Sequence, residues 1–152
     1  MQILISACLL GCRCRYDGGC NGPLPQLPEL MARHTLVPVC PEQLGGLPTP
    51  RPPAERSGAH VITRDGGDVT ECFRRGAEQA LQLARQFGCA AAILKARSPS
   101  CGSGEIYDGS FTHTRVPGWG VTAELLCRAG LEIYDETNFN PLLEARHSDK
   151  TG

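Results

Sequence analysis

The chain carries no excess of charge of either sign: 15 lysines and arginines face 16 aspartates and glutamates, a formal net charge of -1. That balance excludes the broad basic surface on which non-specific nucleic-acid or membrane-surface binding depends, while leaving room for a small charged substrate. Long hydrophobic runs are missing too, the longest falling far short of the roughly 18 residues of a membrane span. The opening Met1-Gln-Ile-Leu-Ile-Ser6 has no basic leader, so the expected compartment is the cytoplasm. Neither an internal repeat nor a low-complexity segment is present. At 152 residues one domain with one core is expected, formed by residues 1–144, with 145–152 a flexible polar tail.

A further absence stands against an abundance. The chain holds nine cysteines, yet no C-x-x-C pair, the spacing common in closed structural zinc sites. Disulfides are rare in reducing compartments, so a cysteine surplus in an unexported protein points to metal or redox chemistry. Some of the nine are expected to be small buried hydrophobes.

Ile3-Leu-Ile5, within a strand expected from Gln2 to Ala7, is an unbroken apolar run of the kind buried on both faces of a parallel sheet. Leu9 to Pro25 is a long irregular stretch rich in turn formers, and loops of that length in compact domains are often functional. Pro28 and the spacing of Leu27, Leu30 and Met31 predict a short helix over 27–33. A strand follows at Thr35 to Val39, short, bulged or at an edge because Pro38 cannot donate to a ladder. After Cys40 comes Pro41-Glu42 and a second Gly/Pro-rich loop. His60–Thr63 and Asp68–Val69 flank Arg64-Asp-Gly-Gly67 as an expected hairpin.

Phe73, Ala77, Ala80, Leu81, Ala84 and Phe87 recur at helical steps and predict a helix over 71–87, with Thr70 as N-cap and Gly88 just past its end. A third strand, Ala90 to Leu94, leads into Lys95-Ala-Arg-Ser-Pro-Ser-Cys-Gly102, which has the composition of an active-site loop. Residues 105–109 and 111–116 suggest a second hairpin. A helix over 121–129 and a last strand over 131–134 close the domain. The alternation implies an α/β fold, a small open, mainly parallel sheet with helices on both faces (Rossmann-like) and long loops at the strand C-terminal edge, where ligands of such folds bind.

Cys8, Cys40 and Cys101 fall at or just past the C-terminal ends of three of these strands, which places them on one edge of the sheet. Cys72 and Cys127, in helices, and Cys89, before a strand, read as structural. Cys12, Cys14 and Cys20 share the first loop as spare ligands, a redox pair or exposed thiols. Three convergent thiolates suit zinc, copper or an iron–sulfur cluster. On a four-iron cluster they would leave one iron open as a Lewis acid.

The runs Ser6-Ala-Cys-Leu-Leu-Gly11, Arg15-Tyr-Asp-Gly18, Pro38-Val-Cys-Pro-Glu42, Gly45-Gly-Leu-Pro-Thr-Pro-Arg51, Gly67-Asp-Val-Thr70, Leu94-Lys95, Ser98-Pro-Ser-Cys-Gly102 and Ile106-Tyr-Asp-Gly109 closely resemble those of a family of small bacterial proteins that includes the thiouracil desulfidases. The resemblance covers about residues 2–135. It implies a [4Fe-4S] cluster held by Cys8, Cys40 and Cys101, with the fourth iron free to take the sulfur of a thiocarbonyl. It also implies a catalytic acid, matched by Glu42, and a catalytic serine, either Ser98 or Ser100. The implied activity is non-redox desulfuration of a thiolated pyrimidine, such as thiouracil or 4-thiouridine monophosphate, to the oxo compound and sulfide. Arg15, Arg51 and Lys95 are candidates for a ribose phosphate or a uracil oxygen, and Tyr16 for stacking on the base. Thiolated tRNA is a less favoured partner, since backbone contacts call for basic surface. The competing readings are a non-catalytic iron–sulfur or zinc sensor or nucleotide-binding module, and thiol redox chemistry at Cys12 and Cys14.

Overall fold

A computed structural model describes residues 1–144; the expected polar tail, 145–152, lies outside the described residues. Its frame is a four-stranded parallel sheet, in which β1 (Gln2–Ser6) pairs with β2 (Thr35–Val39) on one side and β5 (Cys89–Leu94) on the other, and β8 (Glu132–Asp135) completes the far edge. β1 and β5 are central, so their side chains are buried on both faces and their sequences read as continuous apolar runs. Pro38 is accommodated because β2 is an edge strand.

Alternation along β1 divides the core. Ile3 and Ile5 pack with Ala91, Ile93 and Leu30 of α1 (Leu27–Arg33), and with Phe139 and Leu142 beside the terminal 3-10 turn. Leu4 turns the other way, onto Ala80 and Ala84 of α3 (Thr70–Gln86) and Ala123 and Leu126 of α4 (Val121–Arg128). Helices therefore cover both faces, and the apolar stripe of α3 contributes Phe73, Ala77, Ala80 and Ala84. No helix among the described residues is long and apolar enough to cross a membrane.

Several local details differ from the sequence reading. Cys40 leads into a short helix, α2 (Pro41–Leu44), with proline at its first position and Glu42 in its first turn. α2 lies so close to α3 that a Cβ on Gly76 would stand 1.9 Å from Pro41 O and one on Gly45 2.0 Å from Cys72 O, so both positions require glycine. Thr70 is not the cap of α3: its hydroxyl accepts from the Val61 N–H, while Asp68 Oδ1 accepts from the Thr70 N–H. Gly88 follows the helix in the left-handed region, as expected.

Both hairpins are registered differently from expectation. β4 (His60–Thr63) pairs with β3 (Ala54–Ser57) rather than with 68–69, which keeps only the bridge Ile62 to Asp68. β6 (Ser103–Tyr107) pairs with β7 (Arg115–Trp119), so the second turn widens into a loop over 108–114 instead of closing at 109–110. Polar Ala54-Glu-Arg-Ser57 has no period-two signal, and its partner was instead sought across the glycine pair at 66–67.

Candidate active site

The C-terminal ends of β2, β1 and β5 are adjacent, because the chain builds β2 on one side of β1 and returns to place β5 on the other. Crossover reversals of this kind open a crevice at the strand ends. Here the crevice is a cleft of about 380 Å³, and all ten residues singled out from the sequence line it: Cys8, Arg15, Tyr16, Cys40, Glu42, Arg51, Lys95, Ser98, Ser100 and Cys101.

The thiols come from different segments. Cys40 directly follows β2, and Cys8 lies in the 3-10 turn that continues β1. Cys101 is carried back to the edge by the loop after β5, which is locked onto the start of α4: the Val121 N–H donates to Pro99 O, and the Thr122 and Ala123 N–H groups both donate to Ser100 O. A Cβ on Gly120 would meet the Ser100 carbonyl carbon at 2.4 Å, so this docking also depends on a glycine.

All nine cysteines are free thiols. Burial pushes Cys101 up to about 12, opposed by hydrogen bonds from Ser100 and Ser6; the Ser6 hydroxyl lies 3.4 Å from Cys101 Sγ. Burial also raises Cys8, against a lowering hydrogen bond from Asn21. A fourth thiol, Cys14, shares the cleft and is pushed up to about 12 by burial and then by Cys40 and Cys8. Thiols that line one cleft become thiolates when a cationic centre replaces their protons, so the donor set fits a metal group. Among the described residues no set of three His, Cys, Asp or Glu side chains is arranged to hold a single metal ion. The sulfur donors that share the cleft, Cys8, Cys40 and Cys101, are of the soft kind that iron–sulfur clusters take.

Beside the thiols runs a chain of hydrogen bonds. Arg51 Nε donates to Glu42 Oε1 at 2.9 Å, and the Ser100 hydroxyl donates to Glu42 Oε2 at 2.9 Å. Ser98 Oγ accepts from the Ser100 N–H (3.2 Å) and the Cys101 N–H (2.7 Å), and lies 3.1 Å from Ser100 Oγ. With both lone pairs of Ser98 engaged, its own proton points to Ser100. The direction of donation is thus Ser98 to Ser100, whose one proton has Glu42 Oε2 at 2.9 Å as its nearer acceptor and Cys101 Sγ at 3.5 Å as its farther one. The two serines, indistinguishable in sequence, are separated by structure: Ser98 holds the turn and Ser100, 3% exposed, faces the carboxylate.

The cations named from sequence are each engaged. Arg51 donates to Pro48 O, Thr49 Oγ1 and Cys14 O besides Glu42, tying the first two loops together. Lys95 Nζ pairs with Glu136 at 2.7 Å, and Arg15 with Asp17 at 3.1 Å and with Asn21. Tyr16 stands 43% exposed at the cleft lip. Sequence reasoning did not assign Cys14 and missed Ser6, which fixes Cys101 and the Lys95 N–H, and the whole outer wall of Glu55, Arg64, Arg97, Tyr107, Phe111 and His113. Ser6 had a signal, a hydroxyl at the end of a buried strand next to a candidate ligand; the outer wall depended on the hairpin registers.

Fold and site together define a small parallel α/β protein with a thiol-lined strand-end cleft and a carboxylate–hydroxyl pair beside it, the equipment of a metal-assisted hydrolytic enzyme. Residues 3–138 match the 2-thiouracil desulfurase family, and the chain belongs to it. It is 42% identical over 152 residues to the uncharacterized protein YbbK of Bacillus subtilis (strain 168), covering 93% of this chain and 100% of that protein. It is also similar to the solved structure of a [4Fe-4S]-dependent thiouracil desulfidase, TudS, with a TM-score of 0.88 and 49% identity over 93% of this chain and 94% of that one.

Proposed function

We propose that this chain hydrolyses the carbon–sulfur bond of a thiolated pyrimidine, consuming one water and releasing the oxo compound and hydrosulfide without net electron transfer. The observation that carries the reading is the hydrogen-bond chain from Ser98 through Ser100 to Glu42, which enters the same cleft as Cys8, Cys40 and Cys101. Held by those three cysteines, a [4Fe-4S] cluster would supply one iron without a protein ligand, a Lewis acid for the thiocarbonyl sulfur.

The protein's own groups handle the water. Arg51 occupies Glu42 Oε1 and so leaves Oε2 as the oxygen that works with Ser100. Ser100 passes its proton to Oε2 and takes one from the attacking water, whose oxygen forms the new bond to carbon. As the carbon–sulfur bond breaks, the proton held by Glu42 passes to the departing sulfur to give hydrosulfide, and the second proton of the water leaves the new carbonyl oxygen for solvent. Ser98 keeps Ser100 oriented and the turn closed. A sensor would need no acid joined to a hydroxyl beside its ligands.

Anaerobic purification should give a brown protein that releases sulfide from 4-thiouracil. Glu42→Gln should keep the colour and lose about 10²–10⁴ in kcat. A colourless protein that releases no sulfide, or an unimpaired Glu42→Gln variant, would sink the reading.

A further inference from the structure

Ser6 is the polar residue in the buried run of β1, 3% exposed at the C-terminal end of the strand. A hydroxyl in such a place costs free energy unless it is hydrogen-bonded, so its partners carry information. The β1–β5 ladder ends at Ile5 and Ile93. Just beyond it the Lys95 N–H donates to Ser6 Oγ at 2.9 Å, so that a side-chain oxygen continues the ladder. The hydroxyl hydrogen is then directed to Cys101 Sγ, 3.4 Å away.

Residues two apart on a strand share a face, which puts Ser6 on the side of Leu4, where α3 and α4 pack and Cys101 is buried. Cys8 and Cys14 belong to the core cluster of the other face. Ser6 therefore ties the sulfur of one face to the strand that carries Cys8 two residues further on. The sulfurs also differ in what they meet. Ser100 Oγ lies 3.5 Å from Cys101 Sγ, but its proton has the nearer acceptor in Glu42 Oε2, which leaves Ser6 as the committed donor. Cys40 Sγ stands 3.8 Å from a carbonyl oxygen, that of Cys14. A carbonyl oxygen offers nothing to a sulfur that has lost its proton, whereas a hydroxyl hydrogen draws electron density from it.

We propose that Ser6 is a positioning residue that lowers the electron density on Cys101 Sγ, and through it on an iron–sulfur cluster held in the cleft, keeping the open iron a strong Lewis acid. The proposal rests on the desulfuration reading for the identity of the cluster and the use made of its iron. Hydrogen bonds to the sulfurs are among the levers that set a cluster's electronics, because a donor favours the more negative state. Ser6 keeps its proton throughout and forms no covalent bond.

The test compares wild type, Ser6→Ala and Ser6→Thr as anaerobically loaded proteins, with iron and sulfide counted first. Each is equilibrated in a redox buffer poised where half the wild-type cluster is reduced, and the reduced fraction is read by electron paramagnetic resonance. Ser6→Ala should hold a full cluster with its oxidised-to-reduced ratio raised about three- to tenfold, a tenfold change being about 59 mV for one electron. Ser6→Thr keeps the hydroxyl and should stay within about twofold of wild type. In sulfide release from 4-thiouracil, Ser6→Ala should lose about the same factor in kcat. An unchanged ratio in Ser6→Ala, whatever its melting temperature, would reduce Ser6 to a tie between β1 and Lys95 and overturn the proposal. An equal shift in Ser6→Thr would do the same, as would a Ser6→Ala protein that loads no cluster while Ser6→Thr loads one fully. If the ratio shifts as expected and wild type releases no sulfide, the desulfuration reading fails and the role of Ser6 at Cys101 stands.

Discussion

The two walls of the cleft are made by different kinds of structure. The inner wall, with Cys8, Cys40 and Cys101, grows from the ends of adjacent parallel strands, β1 and β5 buried on both faces and β2 beside them at the edge. The outer wall, with Arg64, Phe111 and His113, hangs from two separate two-stranded hairpins. Strands in the core can place a thiol rigidly, because every neighbour is packed; a loop between hairpin strands can be reshaped without disturbing the core. The first setting suits groups that must not move, and the second suits groups that can vary without disturbing the core.

The largest expected effect breaks the inner wall. Cys8→Ser, Cys40→Ser and Cys101→Ser should each yield colourless protein with sulfide release at background, read from the visible absorbance and an iron and sulfide count. Cys14→Ser should keep both colour and activity. A colourless Cys14→Ser protein would make the site a four-thiol one, with no open iron, and the hydrolytic proposal would go with it.

A smaller effect separates the two serines of the inner wall. Ser100→Ala removes the hydroxyl between water and Glu42 and should lower kcat about ten- to a hundredfold with little change in melting temperature. Ser98→Ala strips two backbone N–H groups of their acceptor and should cost about 1–2 kcal/mol, several degrees in Tm for a domain of this size, with the smaller kinetic loss. Interchanged outcomes would reverse the assignment.

The difference between the walls also explains what the sequence revealed. Ile3-Leu-Ile5 and Ala91-Ala-Ile-Leu94 announce buried parallel strands because burial on both faces demands an unbroken apolar run, and the cysteines that follow can then be placed together without any distance information. Glu42 was recognisable from Cys-Pro-Glu, but its partner serine was not, since Ser98 and Ser100 differ only in which atoms they meet after folding. The hairpin wall was illegible for a physical reason: Ala54–Ser57 and Ser103–Tyr107 are half-exposed and lack a clean period of two, so their side-chain pattern does not say which neighbouring segment each pairs with. Pairing 60–63 with 54–57 rather than with 68–69, and widening the second turn to 108–114, is what brings Arg64 and Phe111 to the cleft. Resemblance to known motifs helped most along the strand ends, and the segments it quoted barely touch this wall.

The finest test asks whether the outer wall is a separate module or an extension of the inner one. Among the described residues Glu55 makes no hydrogen bond to a thiol or a serine hydroxyl; its carboxylate links β3 to the 108–114 loop through the Gly109 and Phe111 N–H groups. Glu55→Ala should release that loop and loosen the outer wall, raising KM for 4-thiouracil about two- to tenfold while kcat and the visible absorbance stay at wild-type levels. Restoring an acceptor with Glu55→Gln should recover most of the loss, because an amide oxygen can still take the two N–H bonds. A fall in kcat on the free base would show that the hairpins also support the reacting groups, and recognition and chemistry would then share one rigid unit.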